Sequence, residues 1–205
     1  MSHDDVRACF AAATQGFLTA VAQVPDDSWD APGLGEWTVR QLVGHTARAF
    51  STIESYLATT PAEITVHDPR QYLQALRTTL VDHAAVAARG REAGAALGDD
   101  PGATVTDLAE RVGALVAATP DDAPLAMALG GTTLLAYLPT RTFELTVHTL
   151  DLVAALDIEV PAVLAAPVAA SATLLVSAAA TGPDGVTLLM ALTGRRSLPA
   201  GFSLV

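Results

Sequence analysis

The sequence contains no lysine and no asparagine, and it has one cysteine, Cys9. Each absence removes a class of chemistry. Without lysine there is no Schiff-base amine and no Walker-type phosphate loop, which requires one. Without asparagine there is no N-glycosylation acceptor. A single cysteine allows no disulfide within the chain, which fits a reducing compartment and a cytoplasmic location. All 11 basic residues are therefore arginine, against 22 acidic ones. The resulting formal charge of -11 opposes a phosphate backbone, so no nucleic-acid partner is expected. No Gly-x-Ser-x-Gly elbow is present, which disfavours a serine hydrolase. The pair Gly33 and Gly35 follows no strand and lacks the third glycine of a dinucleotide fingerprint. Met1 to Arg7 is polar and carries Asp4 and Asp5, so no signal peptide is read there.

Aromatic residues make up only 5% of the chain, while half of it is apolar, mostly Ala, Val and Leu. That mixture favours helices packed on helices over aromatic-rich strands. The bias towards Arg, Ala, Gly and Asp points to a high-GC genome. Two uncharged stretches, 123–140 and 160–181, are diluted by Ala, Gly, Thr, Ser and Pro. They read as buried helix and loop rather than membrane spans, which use Leu, Ile, Phe and Val.

Apolar periodicity predicts helices over 4–24, 39–58, 69–88 (continuing through Gly90 to 97), 104–118, 139–156, 162–180 and 185–192. Thr38 is the expected N-cap of the second, and Asp68-Pro69 and Pro139 are expected to open the third and the 139–156 helix. Residues 98–102 read as a turn, 119–122 as a loop and Gly130-Gly131 as a break, with no strand pattern. The expected fold class is all-α, with residues 1–158 forming a bundle and 159–205 an Ala-rich helical extension packed on it. That extension offers a dimer seam, so either a monomer or a homodimer is compatible with the sequence.

Glu144 and His148 stand four residues apart on one predicted helix, which puts both side chains on one face. Such a pair can chelate a divalent ion, or it can be a solvated ion pair. His45, midway along the second helix among Val43, Gly44, Thr46 and Ala47, is either a third ligand or a satisfied core histidine. Its apolar surroundings, and those of His148, make an unpartnered imidazole costly by several kcal/mol, roughly, unless something binds it. Two His and one Glu leave a coordination position open, as at catalytic sites, and suit zinc, nickel, iron or manganese. Arg141, one turn before Glu144, either pairs with it or orients a substrate carboxylate. Asp151, three residues past His148, is either a hydrogen-bond acceptor for that imidazole or a surface acid. Arg48 is read as a solvated side chain near the same face. His3, His67 and His83 lack partners at ligand spacing, Asp68 is a capping residue, Cys9 a small buried apolar one, and Trp29 and Trp37 a packed cap over the bundle end.

The run Gly35-Glu36-Trp37-Thr38-Val39-Arg40-Gln41-Leu42-Val43-Gly44-His45 resembles the metal-binding helix of the DinB-like superfamily. It is more similar still to the N-terminal domain of mycothiol-dependent maleylpyruvate isomerases. The run Arg141-Thr142-Phe143-Glu144-Leu145-Thr146-Val147-His148-Thr149-Leu150-Asp151-Leu152 resembles that group's Arg-x-x-Glu-x-x-x-His-x-x-Asp-Leu signature. The resemblance covers about residues 5–156 and implies a DinB-like four-helix bundle. It implies that His45, Glu144 and His148 hold a divalent metal, usually zinc. It also implies an actinobacterial enzyme that uses the low-molecular-weight thiol mycothiol on a small-molecule substrate, as a thiol transferase or isomerase-like protein. Because the cofactor brings the sulfur, the protein needs no reactive cysteine. The isomerases carry a further α/β domain that contributes to the active site, whereas residues 153–205 of this chain are Ala-rich and show no strand pattern. A metal-dependent hydrolase and a non-enzymatic metal sensor are the other functions compatible with the same bundle.

Overall fold

A computed structural model describes residues 2–78 and 83–204, and the side chains of all of these except 76–78 and 83. Among them the chain is an all-α bundle with one small β-hairpin. The elements are α1 (His3–Val21), α2 (Val39–Leu57), α3 (Pro69–Thr78), α4 (His83–Ala95), α5 (Pro101–Ala118), β1 (Pro124–Met127), β2 (Gly130–Thr133), α6 (Leu134–Leu156), α7 (Ala165–Ala180) and α8 (Asp184–Leu192). A short 3-10 turn, Ala162–Leu164, leads into α7.

Capping fixes where the principal helices begin. Ser2 and Asp5 form a capping box on α1, and Thr38 and Gln41 form another on α2. The Asp100 side chain caps α5 through the Ala103 amide, with Pro101 in the first turn. The turn expected at 98–102 is therefore shorter, because this cap draws Pro101 and Gly102 into the helix. Asp68 accepts from the Arg70 amide, as its capping role requires. The single long helix expected over 69–97 is described as α3 and α4; its middle, 79–82, lies outside the described residues.

Helices α1, α2, α5 and α6 pack around one core, with α4 laid along α2. Phe10, Phe17 and Phe50 meet at its centre, with ring centroids 6.3 Å (Phe10–Phe50) and 6.2 Å (Phe17–Phe50) apart. Leu42, Ile53, Val105, Val112, Leu138, Leu145 and Leu152 fill the space around them. Helix α2 lies against α4 at glycine: a Cβ on Gly44 would come within 2.4 Å of the Gly94 nitrogen and 2.5 Å of the Ala93 carbonyl carbon. Only glycine permits that approach.

Two expectations are corrected. The helix expected to open at Pro139 opens five residues earlier, at Leu134, capped by Thr133, with Pro139 inside it. A proline this near the N-terminus deletes one intrahelical bond and its fixed φ suits the helix, so it is accommodated in the second turn. The uncharged stretch before it is the antiparallel hairpin β1–β2, in register from Pro124↔Thr133 to Met127↔Gly130. The hairpin anchors the chain entering α3: the Gly131 carbonyl accepts from the amides of Thr65 and Val66.

Helix α7 packs on α1, α3 and α6, and α8 packs on α7. The expectation of a buried helix at 162–180 holds for one side only. Leu164, Pro167, Ser171, Ala178 and Ala179 are buried, while the opposite side, with Val163 and Val168, faces out. By length and composition this segment, Ala162–Ala180, could cross a membrane, and 28% of it is buried against the protein.

Candidate metal centre

The sequence places His45 on α2 and Glu144 and His148 on α6, two helices packed against each other. The fold brings all three together: one ligand atom from each lies within 4.8 Å of the others. His148 Nε2 stands 3.4 Å from Glu144 Oε2. The His45 and His148 rings meet edge to face at 4.9 Å. The three side chains sit at the edge of the core, partly buried. This is the only cluster of three or more such donors among the described residues.

The surrounding groups hold each donor in place. Asp151 Oδ2 is 3.0 Å from His148 Nδ1, so the imidazole donates there and its other nitrogen faces Glu144. That is the arrangement of a carboxylate–histidine–metal triad. Of the two roles left open for Asp151, the geometry matches the hydrogen-bond acceptor. Arg141 is buried, with its Nη2 3.9 Å from Glu144 Oε1 and its guanidinium against the rings of Tyr137 (4.6 Å) and Tyr72 (5.1 Å). It thus faces Glu144, as a pairing role requires. Arg48 is half-buried on α2.

Burial pushes the His45 imidazole down to about 4, so it is neutral, as a ligand must be. Burial is the largest single influence on Glu144 and His148 and opposes charge on both, but the opposing interactions together outweigh it: His148 and Arg141 for Glu144, and Asp151 and Glu144 for His148. The Glu144 carboxyl is therefore held below the usual carboxylate range and the His148 imidazole above the usual histidine range. His45 Nδ1 is buried and makes no hydrogen bond. A histidine with an orphaned ring nitrogen, clustered with an ionised carboxylate and a second, oriented imidazole, is a donor set that fits a divalent ion.

Two residues escaped the sequence reading. Trp37 was expected as part of a cap over the bundle end; its indole lies 4.5 Å from the His45 ring and donates to the Ala87 carbonyl at 3.3 Å. Tyr72 donates its phenol to Glu144 Oε1 at 3.2 Å. The Trp-Thr-x-x-x-x-x-x-His spacing carried a signal for the first, since both flank one helix start. No local signal exists for Tyr72, which comes from another helix. His3 pairs with Asp121 at 3.0 Å, away from the cluster. The His83 side chain lies outside the described residues.

A separate cleft of about 1180 Å³ runs between α1, α6 and α7, lined by Cys9, Leu135, Pro139, Thr142, Ala170 and Leu174 among others. None of His45, Glu144 and His148 lines it. Cys9 is buried, and burial pushes its thiol pKa up. Native protein is accordingly expected to leave Ellman's reagent nearly unreacted near neutral pH and to release one thiol equivalent on unfolding. Rapid reaction of the folded protein would show that Cys9 is accessible and contradict its placement.

The family model described as the mycothiol maleylpyruvate isomerase N-terminal domain matches residues 10–153. Searches of curated proteins and of solved structures found no match to the chain. The matched span holds His45, Arg141, Glu144, His148 and Asp151, every residue brought together above from α2 and α6. The chain belongs to the mycothiol maleylpyruvate isomerase N-terminal domain family.

Proposed function

We propose that His45, Glu144 and His148 hold one divalent metal ion, zinc first among those the donor set suits, and that the protein adds a low-molecular-weight thiol, mycothiol, to a small electrophile. The family name supports a thiol-related, enzyme-like role. The observation that carries the metal reading is the gathering of donor atoms of His45, Glu144 and His148 within 4.8 Å of one another, with Nδ1 of His45 buried and unbonded. Nickel, iron and manganese fit the same two-His, one-carboxylate set.

The roles of the chain's own groups follow from their positions. Asp151 fixes the tautomer and orientation of His148. Arg141 favours the ionised form of Glu144. His45 stays neutral with its ring braced by Trp37. Three protein donors leave a position for an external ligand. A divalent ion bound there would lower the pKa of a thiol placed in that position. The only protein thiol is Cys9, which is buried and lines the separate cleft, so the sulfur is supplied from outside. We place this activity in the cytoplasm of an actinobacterium, in a monomer or homodimer acting on a small molecule, with neither nucleic acid nor membrane as a partner.

The test is metal content by mass spectrometry on protein purified without chelators or a His tag, beside His148→Ala. The expected result is about one equivalent in the parent and little in the variant, as for a tightly held three-ligand site. A cobalt-substituted sample is then titrated with thiols. A thiol-dependent change in its visible spectrum supports thiol transfer, and none would favour the hydrolase or sensor. A parent that binds no zinc, nickel or ferrous iron would overturn the metal reading.

A further inference from the structure

We propose that Tyr72 is a positioning residue that makes Glu144 a one-oxygen donor, and so keeps the fourth coordination position free. The inference rests on the metal reading above. The two oxygens of Glu144 have different neighbours. Oε2 faces His148 Nε2 at 3.4 Å, on the side of the candidate ligands. Oε1 accepts from the Tyr72 phenol at 3.2 Å and lies 3.9 Å from Arg141 Nη2. A cation bound beside His45 and His148 would meet Oε2 first, with Oε1 turned towards Tyr72 and Arg141. Two-oxygen binding would draw Oε1 towards the ion at the expense of its contacts with the Tyr72 phenol and the Arg141 guanidinium.

The phenol is suited to that task and is held rigidly. Its ring lies against the Arg141 guanidinium at 5.1 Å, so one side chain fixes both groups that face Oε1. Helix α3 is set against α6 and α7 by its next residue, Leu73, which is fully buried with Phe143 and Ala178. The Gln74 side chain donates to the Ala178 carbonyl at 3.3 Å. The Ala-rich segment after α6 thus contacts the site indirectly, by locating Tyr72.

The experiment compares the parent with Tyr72→Phe, which deletes one oxygen and keeps the ring, and with Tyr56→Phe as a control for loss of a phenol. Zinc affinity is read by competition with a chromophoric chelator. The Tyr72→Phe affinity is expected to fall ten- to a hundred-fold, roughly the usual effect of losing a partner behind a ligand, with Tyr56→Phe at the parent value. The cobalt form of Tyr72→Phe should also show a weaker visible band than the parent, because two-oxygen binding raises the coordination number. Parent affinity and parent spectrum in Tyr72→Phe would overturn the proposal. If the parent binds no metal, the metal reading fails by itself, and the Tyr72–Glu144 bond is judged in the metal-free protein. There, Tyr72→Phe and Glu144→Gln should shift the denaturation midpoint together by less than their separate shifts combined. Strict additivity would remove the bond, and the positioning role with it.

Discussion

Replacing Gly44 by valine is expected to destabilise the protein by about 3 kcal/mol or more and to abolish metal binding with it. The first added carbon would sit 2.4 Å from the Gly94 nitrogen, 2.5 Å from the Ala93 carbonyl carbon and 2.7 Å from the Ala93 oxygen. All three atoms belong to the backbone of α4, so no rotamer change relieves the contact. Either α2 separates from α4 or it rotates about its axis. Rotation turns the adjacent His45 away from Glu144 and His148, and separation opens the Trp37 indole that braces it from its Ala87 partner. Urea denaturation gives the stability change, and zinc competition gives the affinity. Gly113, on α5, has open space where its Cβ would go. Gly113→Ala should therefore leave stability unchanged or raise it by up to about 1 kcal/mol, as expected for a better helix former. A Gly44→Val protein as stable as the parent would show that α2 and α4 are not in close contact.

Arg141→Met is expected to cost about 3 kcal/mol, measured with chelator present, because it leaves a partly buried carboxylate short of a compensating charge. The guanidinium has few conventional partners. Its Nε donates to Thr140 at 3.1 Å, while Nη2 has no hydrogen bond. Its stabilisation comes from the Tyr72 and Tyr137 rings and from Glu144 at 3.9 Å. Burying a cation is itself unfavourable, so the sign of its net contribution depends on that carboxylate. The double variant Arg141→Met, Glu144→Gln removes both charges and should recover most of the loss. Arg141→Lys should not rescue the single variant, since an ammonium cannot stack as a plane against two rings. If Arg141→Met alone proved more stable than the parent, the desolvation cost would exceed what Glu144 and the rings return.

The helices that carry the candidate ligands were legible because their signals are local. Thr38 announces the start of α2, and the four-residue step from Glu144 to His148 needs no tertiary information. Asp151 was ambiguous for a physical reason: an acid three residues past a histidine looks the same whether it bonds the ring or faces water. Pro139 misled because proline favours the first turn, and nothing in the sequence distinguishes the first turn from the second when the cap is Thr133. The hairpin was hidden because its strands have four residues each, and Gly130-Gly131-Thr132-Thr133 lacks alternation. Its role depends on a remote approach, with a Cβ on Gly131 placed 2.1 Å from the Glu63 oxygen. Tyr72 and Trp37 illustrate the same limit. What each does is set by which helix lies beside it, and that is a property of packing rather than of sequence neighbours.

The candidate donors also have a topological consequence. His45 and Glu144 are far apart along the chain, and α3, α4, α5 and the hairpin all lie between them. An ion shared by the two would close a loop of roughly a hundred residues, a constraint that by the loop-entropy scale for disulfides corresponds to about 4–5 kcal/mol of the unfolded chain's freedom. A protein with one cysteine has no disulfide with which to make such a closure. The ion would then act as a reversible cross-link as well as a reaction centre. Its removal by a chelator would lengthen the free chain between the N-terminal and C-terminal halves of the bundle, so that metal supply would govern how long the folded protein survives.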